Sequence, residues 1–410
     1  MSEITACRSC GSTRVQSFLD LGSMPLPTAL VTAEQLDEPE PRFPLEVAHC
    51  ADCSLVQITE DVPPQQLFVD NYLYFSSFSD ELLRHSRAHA LALIERRRLS
   101  SDSLVVELAS NDGYLLKNFV EAGVPVQGVD PAPGQAEAAN AAGVPTIAEF
   151  FGLDLAKRIE ADRGPADVII ANNVMAHIPD PNDFVAGIAH LLADDGLLTV
   201  ENPYVRDLVE RCEFDTIYHE HFFYHSCTSI DSLVRRHGMR LVDVEYFPNL
   251  HGGTLRWHVA KQGAVSETAS RYLREEREQG VVGYGYYADF AKKVEAVREE
   301  LLLMLGNLRA QGHRIAAYGA AAKGSTLANY VGIGPDLVDF VVDRNVHKQG
   351  KLTPGTHIPV RAPEALLEEQ PDYVLMFTWN FRDEILRQQH EYVARGGRFI
   401  VPLPWPEVAP

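Results

Sequence analysis

Cys7 and Cys10 in C-R-S-C-G, with Cys50 and Cys53 in C-A-D-C, form two C-x-x-C pairs near the start of the chain. Each pair sets two sulfurs within one turn, and two such turns complete a tetrahedral thiolate sphere. The chemistry this predicts is a closed, structural zinc site, because four thiolates leave no position open for a substrate. Two disulfides are the competing use of these thiols, and a reduced, cytosolic chain disfavours them. Cys212 and Cys227 stand outside the pairs, and ordinary burial is the commoner fate of such thiols.

The densest ionisable run is I-Y-H-E-H-F-F-Y-H-S, Ile217 to Ser226. A histidine is a proton acceptor suited to neutral pH, and a neighbouring carboxylate can orient it. One of the histidines of this run is therefore a candidate base, and Glu220 is the carboxylate beside it that can orient it. His219 and Glu220 begin like a metalloprotease H-E-x-x-H, but position 223 is Phe, which disfavours zinc hydrolysis. His219 and His225 read as packing or hydrogen-bonding residues. His177, in A-N-N-V-M-A-H-I-P, follows a strand at the edge where doubly wound sheets bind ligands. Tyr72 and Tyr74 precede a helical run and are either packing aromatics or site residues.

V-V-E-L-A-S-N-D-G, Val105 to Gly113, reads as a strand, an acid and a turn that opens a helix. Asp130 then closes the next strand in G-V-D-P, where a carboxylate can accept both hydroxyls of a ribose. The G-x-G-x-x-G needed for a pyrophosphate is absent, so E-x-x-x-N-D-G favours S-adenosylmethionine over a nicotinamide dinucleotide. An ordinary βα turn with two strand-end acids is the plain alternative. The cofactor set is Glu107, Asn111, Gly113, Asp130, Pro131, Phe150, Phe151, Asn172 and Asn173.

A-Y-G-A-A-A-K-G-S-T, Ala317 to Thr326, is a second strand, small-residue loop and helix start. Its lysine precedes the second glycine, so it is not a Walker loop. Backbone N–H groups at a helix start, with Lys323, instead suit a diphosphate anchor; simple helix–sheet packing is the other use of small residues. Tyr318, Gly319, Ala321, Ala322, Lys323, Asp343, Lys348 and Trp379 make up this substrate set.

The elements that carry these residues follow from hydrophobic periodicity. Short apolar runs at 104–108, 126–129, 166–171 and 196–201 are separated by helical stretches, which indicates a parallel sheet. Runs at 241–246 and 254–260 follow without a helix between them and predict an antiparallel edge. Runs at 314–318, 338–343, 373–377 and 398–401 predict a second, smaller βα sheet. The fold class is α/β in three parts. Residues 1–66 form a zinc-binding module, 67–300 a Rossmann-like methyltransferase domain and 301–410 a smaller Rossmann-like domain. No internal repeat is visible in the sequence.

The 410 residues carry a formal charge of −21, which argues against a nucleic-acid-binding surface and so against an RNA methyltransferase with a zinc reader. No apolar run is long enough to span a bilayer, and the N-terminus lacks a signal-peptide pattern. A cytoplasmic enzyme, monomeric or weakly self-associating, is the expectation. A non-enzymatic nucleotide-sugar-binding module is the third reading, opposed by the ionisable run around His221.

The chain resembles the three-domain sugar C-methyltransferases that act on thymidine-diphosphate-linked ketosugars in deoxysugar biosynthesis for antibiotics. The resemblance runs end to end, through the cysteine pairs, N-D-G, E-H-F-F, H-G-G-T-L-R (251–256), Y-G-A-A-A-K-G and T-P-G-T-H-I-P-V (353–360). It implies structural zinc in the first domain, S-adenosylmethionine in the middle one and a nucleotide-sugar held with help from the last. It also places Tyr218, Glu220 and His221 on the family's catalytic cluster, His177 on a further active-site histidine, and Tyr72 or Tyr74 on a lid tyrosine. Ala109 stands where the cofactor turn often has glycine. His219 stands where carbon-3 enzymes tend to have aspartate, which looks closer to the carbon-5 enzymes.

Overall fold

The computed structural model describes residues 4–60, 62, 75–78, 80–250 and 252–409, so Tyr72 and Tyr74 lie outside the described residues. In the N-terminal module, β1 (Val15–Pro25), β2 (Arg42–Cys50) and β3 (Val56–Ile58) pair antiparallel. The two cysteine turns close alike. Gly11 and Ser54, each the residue after a pair, have φ of 73° and 60° and donate to the carbonyls of Cys7 and Cys50. Glycine takes that left-handed conformation without strain, and a serine there costs of order 1 kcal/mol.

The middle domain contains β4 (Val105–Leu108), β5 (Val126–Val129), β6 (Thr146–Ile147), β7 (Ala166–Asn172) and β8 (Leu192–Pro203), all parallel. The short strand β9 (Phe223–Tyr224) does not join them. The sheet is completed by the antiparallel β10 (Arg240–Phe247) and β11 (Thr254–Ala260), in the order β10-β11-β8-β7-β4-β5-β6. Both faces are covered, as a parallel sheet requires. The helix Asp80–Arg97 packs on one face, and helices including Pro181–Leu191 and Cys227–Arg236 pack on the other. The helix that follows the 109–113 turn begins at Lys117, because residues 114–116 still form turns.

The C-terminal sheet runs β14-β13-β12-β15-β16-β17, from β12 (Ile315–Tyr318), β13 (Val341–Val342), β14 (Val360–Arg361), β15 (Tyr373–Met376), β16 (Arg398–Val401) and β17 (Glu407–Ala409). All its pairings are parallel except that of β16 with β17. Among the described residues no helix is long and apolar enough to cross a membrane.

Two features set the site. The strand β9, inside the ionisable run, pairs with β3 and becomes the fourth strand of the N-terminal sheet. One apolar core is continuous from that module through 205–224 and the helix Phe290–Ala310 into the C-terminal sheet. Phe222 and Phe223 are fully buried in it, each stabilising the arrangement by roughly 1.5–3 kcal/mol. The run around His221 is thus held between the first and third parts of the molecule.

Candidate active site

The four thiol sulfurs lie within 4.8 Å of one another, with Cys7–Cys53 and Cys10–Cys50 each at 3.6 Å. Tetrahedral zinc with Zn–S near ~2.3 Å requires sulfurs about 3.8 Å apart, so the set fits that ion. Three of the four cysteines are buried, which leaves the site closed.

The cofactor turn lies at the carboxyl end of β4. Ala109, Asn111 and Gly113 all have positive φ, at 56°, 49° and 77°. Ala109 therefore holds a conformation that glycine takes without strain, and the family's frequent glycine there has a physical reason. A Cβ on Gly113 would meet Val144 at 2.9 Å. The carboxylate of Asp130 accepts from the N–H of Asn111 and of Ala132, both at 2.9 Å, which ties the turn to β5. Asn111 Oδ1 accepts the N–H of Ser76, and Ser77 donates to Asp112, so the segment before the helix Asp80–Arg97 is fastened to the turn. Burial raises the pKa of Glu107 well above the carboxylate range, reinforced by Asp130 and Asp112. Its Oε2 and the Oδ1 of Asn172 are buried without a hydrogen-bond partner, acceptors suited to a ligand with hydroxyls or an amine. Asn173, at φ 53°, donates its N–H to the Glu201 carbonyl at 2.7 Å. Pro131 follows Asp130 in the same turn. Phe151 packs edge-on against Phe184, whereas Phe150 is 42% exposed.

Beneath this edge lies a buried charge cluster that the sequence did not flag. Glu201 on β8 meets His85 Nε2 at 3.0 Å and Arg256 Nε at 2.6 Å. Burial alone would raise its pKa, but His85 and Arg256 pull it down to about 2. Glu245 takes His258 at 2.6 Å and Arg256 at 3.4 Å. The His85–Glu201 pair ties the helix Asp80–Arg97 to β8, and the others join β8, β10 and β11.

Nδ1 of His221 lies 2.9 Å from the Thr216 carbonyl, and Nε2 lies 2.8 Å from the Tyr218 hydroxyl. A carbonyl only accepts, so Nδ1 carries the proton and Nε2 the lone pair, to which Tyr218 donates. The Tyr218 and His221 rings are 3.9 Å apart, and His177 meets His221 at 4.7 Å in a T-shaped contact. Nδ1 of His177 donates to the Glu220 carbonyl at 2.7 Å, and burial lowers its pKa to about 4. His177 is therefore neutral at physiological pH.

Glu220 does not take the place expected of it. Its Oε1 accepts from Thr28 of the N-terminal module at 2.5 Å, and the Thr216 carbonyl orients His221 instead. Adjacent side chains leave the backbone in different directions, and Glu220 is turned toward the N-terminal module. Burial raises its pKa to about 7, against the pull of Thr28 and of Lys348. His219 is buried with Nε2 3.0 Å from the Pro44 carbonyl, and His225 is buried as well.

In the C-terminal domain, Asp343 repeats the geometry of Asp130. Its carboxylate accepts from Ala320 N–H on the preceding turn and from Asn345 N–H two residues on, both at 2.8 Å. Gly319 has φ 95°, and the helix Ala322–Val331 starts at Ala321 with no side-chain cap. Lys348 donates to the Ala320 carbonyl at 2.8 Å and lies 3.5 Å from Asp343, at the mouth of this turn. Tyr318 points to the other side of the sheet, into a cavity of about 590 Å³ shared with Arg344, Gln349 and Gln388. Lys323, expected at a diphosphate, instead donates to Asn380 at 2.9 Å and lies 4.8 Å over the Trp379 ring. Two carboxylates, Asp215 and Glu213, draw it inward. Trp379, also expected at the substrate, spends its indole N–H on Asp215 at 2.7 Å.

Comparison with known proteins gives this arrangement a family. A zinc binding domain model matches residues 7–68, a methyltransferase domain model 79–244, and a C-methyltransferase C-terminal domain model 249–404. C-methyltransferase NovU of Streptomyces niveus is 38% identical over 408 residues, covering 99% of this chain and 97% of that one. The chain belongs to the three-domain C-methyltransferase family. It is an S-adenosylmethionine-dependent methyltransferase with a structural zinc site. Solved structures that align with it include magnesium protoporphyrin IX methyltransferase of Synechocystis PCC 6803, at 15% identity and TM-score 0.35 over 48% of this chain and 89% of that one. The PH0226 protein of Pyrococcus horikoshii OT3 aligns at 15% identity and TM-score 0.35, over 46% and 95%.

Proposed function

We propose that this C-methyltransferase acts on a thymidine-diphosphate-linked 4-keto-6-deoxysugar, methylating the carbon beside the ketone through an enolate that His221 generates. The observation that carries this reading is the oriented dyad, with Nδ1–H on the Thr216 carbonyl and Nε2 against Tyr218. A ketone acidifies the hydrogens on its neighbouring carbons. The Nε2 lone pair takes one of these protons, and the C–H electron pair moves to form the enolate. Tyr218, displaced from Nε2 by the substrate, donates its O–H to the enolate oxygen. S-adenosylmethionine, when bound, would supply an electrophilic sulfonium methyl for the enolate carbon, with the S–CH₃ electron pair left on sulfur. His177, neutral with its lone pair on Nε2, accepts from a sugar hydroxyl.

The uncapped helix start at Ala321 and the Lys348 ammonium supply N–H groups and positive charge for the diphosphate. The positive charge of Lys348 is also felt at Glu220, whose pKa it lowers. The test is incubation with cofactor and a panel of thymidine-diphosphate 4-ketosugars, followed by mass spectrometry and NMR of the product. A product heavier by one methyl on the carbon next to C4 is expected. Failure to methylate any member of the panel would overturn the substrate class.

A further inference from the structure

The carbonyl that orients His221 closes a short turn, Phe214–Thr216, and the centre of that turn is Asp215. Asp215 is 0% exposed, an unusual place for a carboxylate unless something requires it. Burial raises its pKa to about 6, countered by Lys323 and by the hydrogen bond from Trp379. Both of those residues belong to the C-terminal domain. Trp379 donates its indole N–H to Asp215 at 2.7 Å, and Lys323 lies against the same indole ring while held by Asn380.

The rest of the turn is gripped in the same way. Phe214 meets Tyr330 of the helix Ala322–Val331 edge-on at 5.4 Å. On the other side a Cβ at Gly252 would fall 2.7 Å from the Glu213 carboxylate oxygens, so the backbone approaches closely there. The turn therefore has little freedom of its own, and its position follows the docked C-terminal domain.

We propose that Asp215 is a positioning residue for methyl transfer: through Trp379 and Lys323 it sets the Thr216 carbonyl against Nδ1 of His221, so that the base is aimed only when the C-terminal domain is docked. This rests on His221 being the base. A carbonyl displaced by about 1 Å would release the imidazole to rotate, and misplacement on that scale costs ~10²-fold in rate. The arrangement links the domain proposed to hold the sugar nucleotide to the group that removes the proton.

The test uses the full-length, zinc-loaded enzyme with S-adenosylmethionine and a thymidine-diphosphate 4-keto-6-deoxyhexose. Trp379→Phe keeps an aromatic ring, though a smaller one, and removes the N–H; Asp215→Ala removes the acceptor; Asp215→Asn keeps an acceptor oxygen. Trp379→Phe and Asp215→Ala should lower kcat by ~10–10²-fold, with KM for the sugar nucleotide altered less than ~3-fold. Asp215→Asn should restore kcat to within ~5-fold of wild type. Cofactor Kd, zinc content and Tm should hold in Trp379→Phe. Unchanged kcat in Trp379→Phe and Asp215→Ala overturns the proposal, as does a loss confined to KM, which would make Trp379 a substrate contact. His221→Asn, measured alongside, separates the two readings. If it alone loses turnover, only the positioning role fails; if it keeps turnover, the assignment of the base fails with it.

Discussion

Thr28, in the loop after β1, donates its hydroxyl to Oε1 of Glu220 at 2.5 Å. The module built around the cysteines thus reaches the run around His221 directly, at a residue that also feels Lys348 of the C-terminal domain. A short bond from a hydroxyl to a carboxylate is among the stronger hydrogen bonds. Thr28→Val keeps the shape and removes the donor, and should lower kcat by about three- to tenfold, with zinc content unchanged. Steady-state kinetics with metal analysis on the same preparation checks this; an unaltered kcat would show that the contact is dispensable.

Zinc should matter to turnover although it is remote from the chemistry. The strand β3 follows the Cys50–Cys53 turn and pairs with β9 in the catalytic run. Cys50→Ser, or removal of the ion by a chelator, should lower Tm and abolish turnover, while leaving cofactor affinity within about threefold. Calorimetry with S-adenosylmethionine and metal analysis decide the matter, and full activity in a metal-free enzyme would refute it.

Asp130 should discriminate between the two ligands. Its carboxylate holds the N–H of Asn111 and closes the cofactor turn against β5. Asp130→Ala should weaken S-adenosylmethionine binding by at least ~10-fold and leave sugar-nucleotide affinity nearly unchanged. Equal loss of both, measured by calorimetry, would mean that the turn supports the whole domain.

Glu220 should give stability a recognisable pH dependence. Its folded pKa, raised by burial to about 7, lies above the ordinary 4.5. Between these values the folded state binds more protons than the unfolded one, so wild-type stability falls as pH rises through the window. Glu220→Gln lacks this penalty. Its stability relative to wild type should climb from pH 4.5 to 7 and then level, by on the order of 2–3 kcal/mol. Denaturant unfolding of both proteins across that range is the measurement, and a flat difference would place the carboxylate in a more solvated setting.

His221→Asn should cut kcat by ~10²–10⁴-fold while both ligands still bind. If the wild type exchanges solvent deuterium into the sugar at the reacting carbon without cofactor, this variant should not. Near-normal turnover in this variant would pass the role to His177 or Tyr218.

What the sequence determined by itself is local. Cys7, Cys10, Cys50 and Cys53 were legible because a C-x-x-C turn sets its own sulfur spacing. The strands ending at Glu107 and Asp130, and the turn between them, were legible because apolar runs and turn residues act over a few positions. The grouping of His177 with Tyr218 and His221 was legible only through the family resemblance, since they lie on separate segments of the chain. Only the tertiary structure decided the partners. Thr216, not the adjacent Glu220, orients His221; Lys323 and Trp379 turn inward to Asp215; Thr28 comes from a separate module. The shared geometry of Asp130 and Asp343 was hidden as well, because a strand-end carboxylate and two backbone N–H groups can recur without any recurrence of sequence. The physical reason is common to all of these. Periodicity and turn chemistry set where the backbone goes, but a buried polar side chain takes whichever partner long-range packing brings within hydrogen-bond reach.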